Sequence, residues 1–258
     1  MKPSVGITGY KLDLEVNTLA DVYKENGFTS GPYTAMFGFL CNSRQLDLQK
    51  YSGPRNPAIV DLEGLISSVP KWAMPFIHFD TREPLRLKDD VIYLLFLIRQ
   101  YENHTCQGLQ LNVEWPRPKD IDAISEFDPG LEFVLQIEDK PYLDMKYLAY
   151  RAKEYHGLVD YCLIDPSRGA GKDFEVERAV ELMHLCQESL PDAVIGIAGG
   201  FDGTNVEARI KTIKQCYDKP FFIDAEGKLR DRQCLNIGKC KDYIQNSAKA
   251  LHVCKDNR

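Results

Sequence analysis

The residues best able to do chemistry lie in the last third of the chain. Three turns, each after an apolar run of strand length, read Asp165-Pro-Ser-Arg-Gly-Ala-Gly-Lys-Asp-Phe174, Ala198-Gly-Gly-Phe201 and Asp224-Ala-Glu-Gly227. Glycines just past strand ends leave backbone N–H groups unhindered, and a helix that follows points its positive end at the same place. That chemistry suits an anion, above all a phosphate. Gly171, Gly199, Gly200, Ala225 and Gly227 are therefore the expected cradle of a phosphorylated small molecule. Lys172, inside the first of these turns, is placed to close over such a ligand. Proton transfer would need further groups near strand ends. Cys41 and His78 are the candidate bases, and Asp80, Glu138 and Asp139 stand at comparable positions.

Those turns need a frame that brings strand ends together. Read by periodicity, the chain alternates strand and helix. Strands are predicted over 5–8, 34–41, 75–79, 108–112, 132–137, 160–164, 193–197 and 220–223. Helices are predicted over 14–25, within 57–69, and over 88–101, 120–127, 143–155, 174–190, 206–216 and 237–251. Apolar residues recur at helical spacing, as in Ile59, Leu62, Leu65 and Ile66, or Val206, Ile210 and Ile213. Eight strand–helix units in 258 residues match an α/β chain closed into a single (β/α)8 TIM barrel spanning 1–258. An open doubly wound sheet is the alternative, but it carries its glycine turn after the first strand, whereas here the glycines gather after strands six to eight. The polar segment 45–56, with Gly53-Pro54, is long enough to cover the barrel mouth.

Composition narrows the partners. With 44% hydrophobic residues and a net charge of -6, the chain can bury a large core and shows no basic footprint for nucleic acid. The longest apolar run, residues 91–98, is too short to cross a bilayer. Eight cysteines are scattered without a CxxC pair or zinc-type histidine spacing, and no secretory signal is visible. A reduced, cytoplasmic protein is expected, with no metal and no cofactor, acting as a monomer or homodimer on a phosphorylated small molecule. Cys162, Cys186 and Cys216 fall within apolar patterns and are read as small core residues.

Several motifs together resemble phosphoribosylanthranilate isomerase, a barrel of the ribulose-phosphate-binding group. The resemblance rests on Gly6-Ile7-Thr8, Ser43-Arg44, Leu109-Gln110-Leu111 and Leu163-Ile164-Asp165. It continues through Ala198-Gly199-Gly200-Phe201, Asn205-Val206, and Asp224 with Gly227. It is most specific in the C-terminal third. It implies an Amadori-type conversion of an aldose amine to a ketose amine, with Asp165 as general acid and Arg44 holding a substrate carboxylate. Asn112 stands where the family has a histidine, and Val5 where it has the cysteine base.

Two functions follow as expectations. One is an isomerase of this type with an altered substrate or base. The other is a non-catalytic binding or regulatory barrel that retains the phosphate site. An aldolase would need a Schiff-base lysine, and the predicted inner strand ends carry none.

Overall fold

A computed structural model describes residues 2–48, 51–81, 83–98, 106–138, 144–166 and 175–251. Eight parallel strands close into one barrel in chain order: β1 (Ser4–Thr8), β2 (Thr34–Asn42), β3 (Met74–Asp80), β4 (Gly108–Asn112), β5 (Glu132–Ile137), β6 (Tyr161–Ile164), β7 (Val194–Ala198) and β8 (Phe221–Ala225). Closure is made by β1 against β8, with Val5 opposite Ile223 and Gly6 opposite Asp224. Around the barrel lie α1 (Asp13–Glu25), α2 (Ser43–Asp47), α3 (Ile59–Ser68), α4 (Leu87–Ile98), α5 (Pro118–Phe127), α6 (Met145–Ala152), α7 (Val176–Ser189), α8 (Val206–Cys216) and α9 (Ile237–Leu251).

The expected α/β barrel is thus the observed one, and most boundaries agree within two residues. α2 escapes periodicity because it is one turn long. Asn42 makes it, accepting the Gln45 N–H while the Gln45 side chain accepts the Asn42 N–H. A small antiparallel ribbon, β9 (Arg230–Asp231) with β10 (Cys234–Leu235), also escapes it, being two residues per strand.

Each strand alternates between two apolar environments. Outward residues such as Val5, Ile7, Phe37, Ile77, Ile195 and Ile223 join the helices in the main core. Inward residues Met36, Met74, Phe76, Val134, Tyr161, Leu163, Ala198 and Phe222 form a separate plug inside the bore. A packed bore is the rule for this architecture. Its large side chains need gaps, which glycines supply. A methyl group on Gly196 would lie 2.4 Å from the Phe222 ring, and one on Gly108 2.2 Å from Phe76.

One core assignment from the sequence is corrected. Cys162 and Cys186 are buried, but Cys216 is exposed. The inward stripe of α8, Val206, Ile210 and Ile213, continues to Tyr217, four residues on, and Cys216 lies one step off it. Among the described residues no helix is long and apolar enough to cross a membrane.

Overpacking this bore should be costly. Gly196→Ala is expected to lower the unfolding free energy by roughly 1–3 kcal/mol, measured as a shift of the denaturant midpoint with an unchanged slope. Gly64→Ala, whose methyl would meet nothing within 4 Å, is the control.

Candidate functional site

Above the plug the inward residues turn polar. Thr8, His78, Gln110, Gln136, Asp165 and Asp224 come from six strands or their ends, and all are buried. With Leu40, Asp80, Asn112, Leu163, Ala198, Gly199, Gly200, Glu226 and Gly227, most of them line a cavity of about 210 Å³ at the carboxyl ends of the strands. The glycine turns after β7 and β8 therefore meet on one rim. Ala225 does not share it, since it pairs outward beside Ile7. Gly171 and Lys172 lie outside the described residues.

The β7 turn is shaped for an anion. Gly199 and Gly200 have φ of 106° and 57°, a region that disfavours side chains. The Gly200 carbonyl accepts from Asn205 Nδ2 at 2.7 Å and from Arg209 Nη1 at 2.8 Å, and the Gly199 carbonyl from Arg209 Nη1 at 3.3 Å. A trans peptide sets its N–H opposite its C=O. Carbonyls drawn toward α8 thus turn the N–H groups of Gly200 and Phe201 the other way.

Charges around the rim are arranged in pairs. Glu226 would repel a phosphate if it stood free, but its carboxylate is held by Arg55 and by Arg230, the latter at 3.2 Å. Arg230 also donates to the Gly9 carbonyl at 3.0 Å and the Gln233 carbonyl at 2.8 Å. Arg55 arrives on the 51–58 segment, which Lys11 Nζ fastens by donating to the Gly53 carbonyl at 2.8 Å. Part of the predicted mouth-covering segment therefore does reach the cavity, through Arg55 and Asn56. Lys228 pairs with Asp202 at 3.7 Å.

Deeper in, the hydrogen bonds run in two chains. Gln110 Nε2 donates to Gln136 Oε1 at 2.9 Å, and Gln136 Nε2 to Asp165 Oδ2 at 3.0 Å. On the other side Thr8 Oγ1 lies 2.9 and 3.0 Å from the two Asp224 oxygens and 3.4 Å from His78 Nε2. Gly38 makes room for this second group, since a methyl there would overlap Thr8 Oγ1 at 2.4 Å. Burial pushes Asp224 up to about 7, and the Asp165 charge adds to the rise, against the Thr8 hydroxyl and the Ala225 N–H. Burial pushes His78 down to about 3.

The two candidate bases from the sequence reach the cavity in unsuitable states. Burial drives the Cys41 thiol well above its ordinary value, so it stays protonated. His78 is neutral and a weak proton acceptor. Asn112 and Asp80 stand exposed at the mouth, and Glu138 borders a neighbouring small pocket instead. Asp139 is outside the described residues. Arg44 is exposed and stacks on Tyr51, 4.6 Å from the ring centre, away from the cavity lining. Val5 faces the helices, because its neighbours Gly6 and Thr8 face the bore, and its carbonyl accepts Tyr23 OH at 3.0 Å. A cysteine at position 5 of this strand would point away from the cavity.

Sequence reasoning misses Gln110 and Gln136 as cavity groups, Thr8 as the partner of Asp224, and Arg55 as a cation of the mouth. A usable signal is there: polar residues at alternate positions near the carboxyl end of an otherwise apolar strand.

The fold and its polar mouth define a (β/α)8 barrel with a polar cavity at the carboxyl ends of its strands. No family model matches the chain, and no curated protein matches it. Solved structures do. The phosphoribosyl anthranilate isomerase of Thermus thermophilus is 16% identical, with a TM-score of 0.63 over 98% of each chain. That of Pyrococcus furiosus is 13% identical, with a TM-score of 0.62 over 96% of this chain and 99% of its own. The tryptophan synthase alpha subunit of Legionella pneumophila also matches, at 10% identity and a TM-score of 0.59 over 97% and 93%. The chain is thus similar over nearly its full length to the isomerases its motifs resemble, and at these identities the likeness is one of fold.

The raised Asp224 carboxyl sets a sign for stability. A carboxyl whose folded value lies above its unfolded one binds more protons when folded, so its contribution declines as pH rises from about 4 to about 7. His78 acts oppositely, losing stability as pH falls from about 6.5 toward 3. The difference between wild type and Asp224→Asn isolates the first effect. Between pH 4 and pH 8, Asp224→Asn should gain on wild type by a few kcal/mol, at most about 1.4 kcal/mol for each step of one in pH. Chemical denaturation of both proteins across that range checks it; a constant difference would refute it.

Proposed function

We propose that this protein binds a phosphorylated sugar and rearranges it by an Amadori-type aldose-to-ketose isomerisation, in the manner of phosphoribosylanthranilate isomerase. One observation carries the reading: the turns at Gly199-Gly200 and Gly227 meet Asp165 on a single cavity. The phosphate would take the N–H groups of Gly200 and Phe201. Asp165, oriented by Gln136, would stand at the reacting carbons as a proton-transfer group.

Arg55 is the cation proposed for a substrate carboxylate, the role the motif resemblance gives to Arg44. A guanidinium has five N–H donors, so its bond to Glu226 leaves others for a ligand. One isomerase structure of matching fold is a complex with reduced 1-(o-carboxyphenylamino)-1-deoxyribulose 5-phosphate, a ligand with both a phosphate and a carboxylate. Binding without turnover is the second reading, favoured by the unsuitability of Cys41 and His78 as bases.

The test is phosphoribosylanthranilate itself, followed by loss of its fluorescence, together with rescue of a tryptophan auxotroph lacking the isomerase. Turnover and growth are expected, and Asp165→Asn should lower turnover by about 10²–10⁴-fold. Arg55→Ala should weaken substrate binding by roughly tenfold or more while leaving protection by inorganic phosphate unchanged. Thermal protection by ribose 5-phosphate without turnover would select the binding protein. No protection by either phosphate compound would end both readings.

A further inference from the structure

The cavity contains a second buried carboxyl besides Asp165, and the register shows how the two are related. Leu163 pairs with Gly196 and Gly196 with Phe222; Ile164 pairs with Ile197 and Ile197 with Ile223. One residue further, Asp165 stands level with Ala198, and Ala198 pairs with Asp224. The two aspartates therefore sit at one height on strands two apart, roughly 10 Å of sheet at about 4.8 Å per strand, before the curvature of the bore brings the side chains closer. Only the methyl group of Ala198 lies between them on the wall. Both carboxyls are buried, at 3% and 5% exposure, and both line the cavity.

The surroundings treat them differently. Asp165 receives an N–H from Gln136, itself oriented by Gln110. Asp224 faces Thr8, and beyond Thr8 the neutral His78. Burial raises the phenols of Tyr10, Tyr23 and Tyr243 well above their ordinary values, and an ionised Asp224 would raise them further. The cations of the mouth, Arg55 and Arg230, are engaged with Glu226. Like charges facing one cavity oppose double ionisation, and the Asp165 charge acts on Asp224 in that sense.

We infer that Asp224 and Asp165, level on one wall of the cavity, are its acid and its base, Asp224 giving a proton and Asp165 accepting one. Burial and the neighbouring Asp165 charge both act in this direction on Asp224. The pair provides the proton acceptor that Cys41 and His78 do not. It also reverses the role that the motif resemblance gives to Asp165.

The chemical step rests on the isomerase reading above; the proton held on Asp224 does not. Protonated Asp224 gives its proton to the ring oxygen as the C1–O bond breaks and the nitrogen lone pair forms a C=N bond. The Asp165 carboxylate then takes the C2 proton. The C–H electrons form C1=C2, and the C=N electrons return to nitrogen, leaving an enol amine. Asp165 returns its proton to C1 while the C2 hydroxyl proton passes to Asp224, giving the ketone and the starting pair. Nothing is oxidised or reduced overall, and no co-reactant is needed.

The decisive measurement is infrared titration of the full chain labelled with carbon-13 at aspartate carboxyls. A protonated carboxyl band should persist at pH 6 and vanish with a midpoint near 7. It should be missing at pH 6 in Asp224→Asn, move to lower pH in Asp165→Asn, and move to higher pH in Thr8→Val. A wild-type protein with no such band above pH 5, or a band that Asp165→Asn leaves in place, overturns the pair, and the wild-type titration needs no variant to fold. With phosphoribosylanthranilate, Asp224→Asn should lose as much turnover as Asp165→Asn while keeping protection by inorganic phosphate; wild-type turnover in Asp224→Asn also overturns the assignment. If wild type shows the titration but no turnover, the isomerase reading fails and the pair stands.

Discussion

The site depends on the apolar plug inside the bore. Met36, Met74, Phe76, Val134, Tyr161 and Phe222 fill the barrel below the polar layer, with Gly6, Gly108 and Gly196 giving their side chains room. Because that floor is apolar, carboxyls resting on it lose solvation. The high proton affinity of Asp224 and the low one of His78 both have burial as their largest cause. A looser floor would hydrate both groups and return them toward ordinary behaviour.

Above the floor, order comes from hydrogen bonds that leave few polar groups to chance. Gln110 orients Gln136, Gln136 orients Asp165, and Thr8 orients Asp224. The rim is organised by charge. Arg55 and Arg230 neutralise Glu226, so the β8 turn that would otherwise repel a phosphate carries a net positive cluster. Rim and floor thus differ in physics: ion pairs order the charges of the rim, and desolvation sets the proton affinities on the floor.

The correspondence between motif and site is uneven for a physical reason. The Ala198-Gly-Gly-Phe201 turn is legible because glycine at a strand end has few structural alternatives, and its positive φ values bear this out. Position 5 can be matched by residue type along a strand, but side chains alternate, and an offset of one residue exchanges cavity for helix layer. Arg44 and Arg55 lie only eleven residues apart in one polar segment, and nothing local distinguishes the one that stacks on Tyr51 from the one that reaches Glu226.

From its sequence alone this chain declares eight strand–helix units, their order, the apolar faces of its helices and the glycine turns suited to an anion. Those features are local: periodicity and turn chemistry act within a few residues. Tertiary closure decided the rest. It brought Thr8 against Asp224 across 216 residues and set Asp165 level with Asp224 on either side of Ala198. It also carried Arg55 to Glu226. Register and curvature of a closed sheet determine which polar groups share one cavity, and no local signal encodes that proximity.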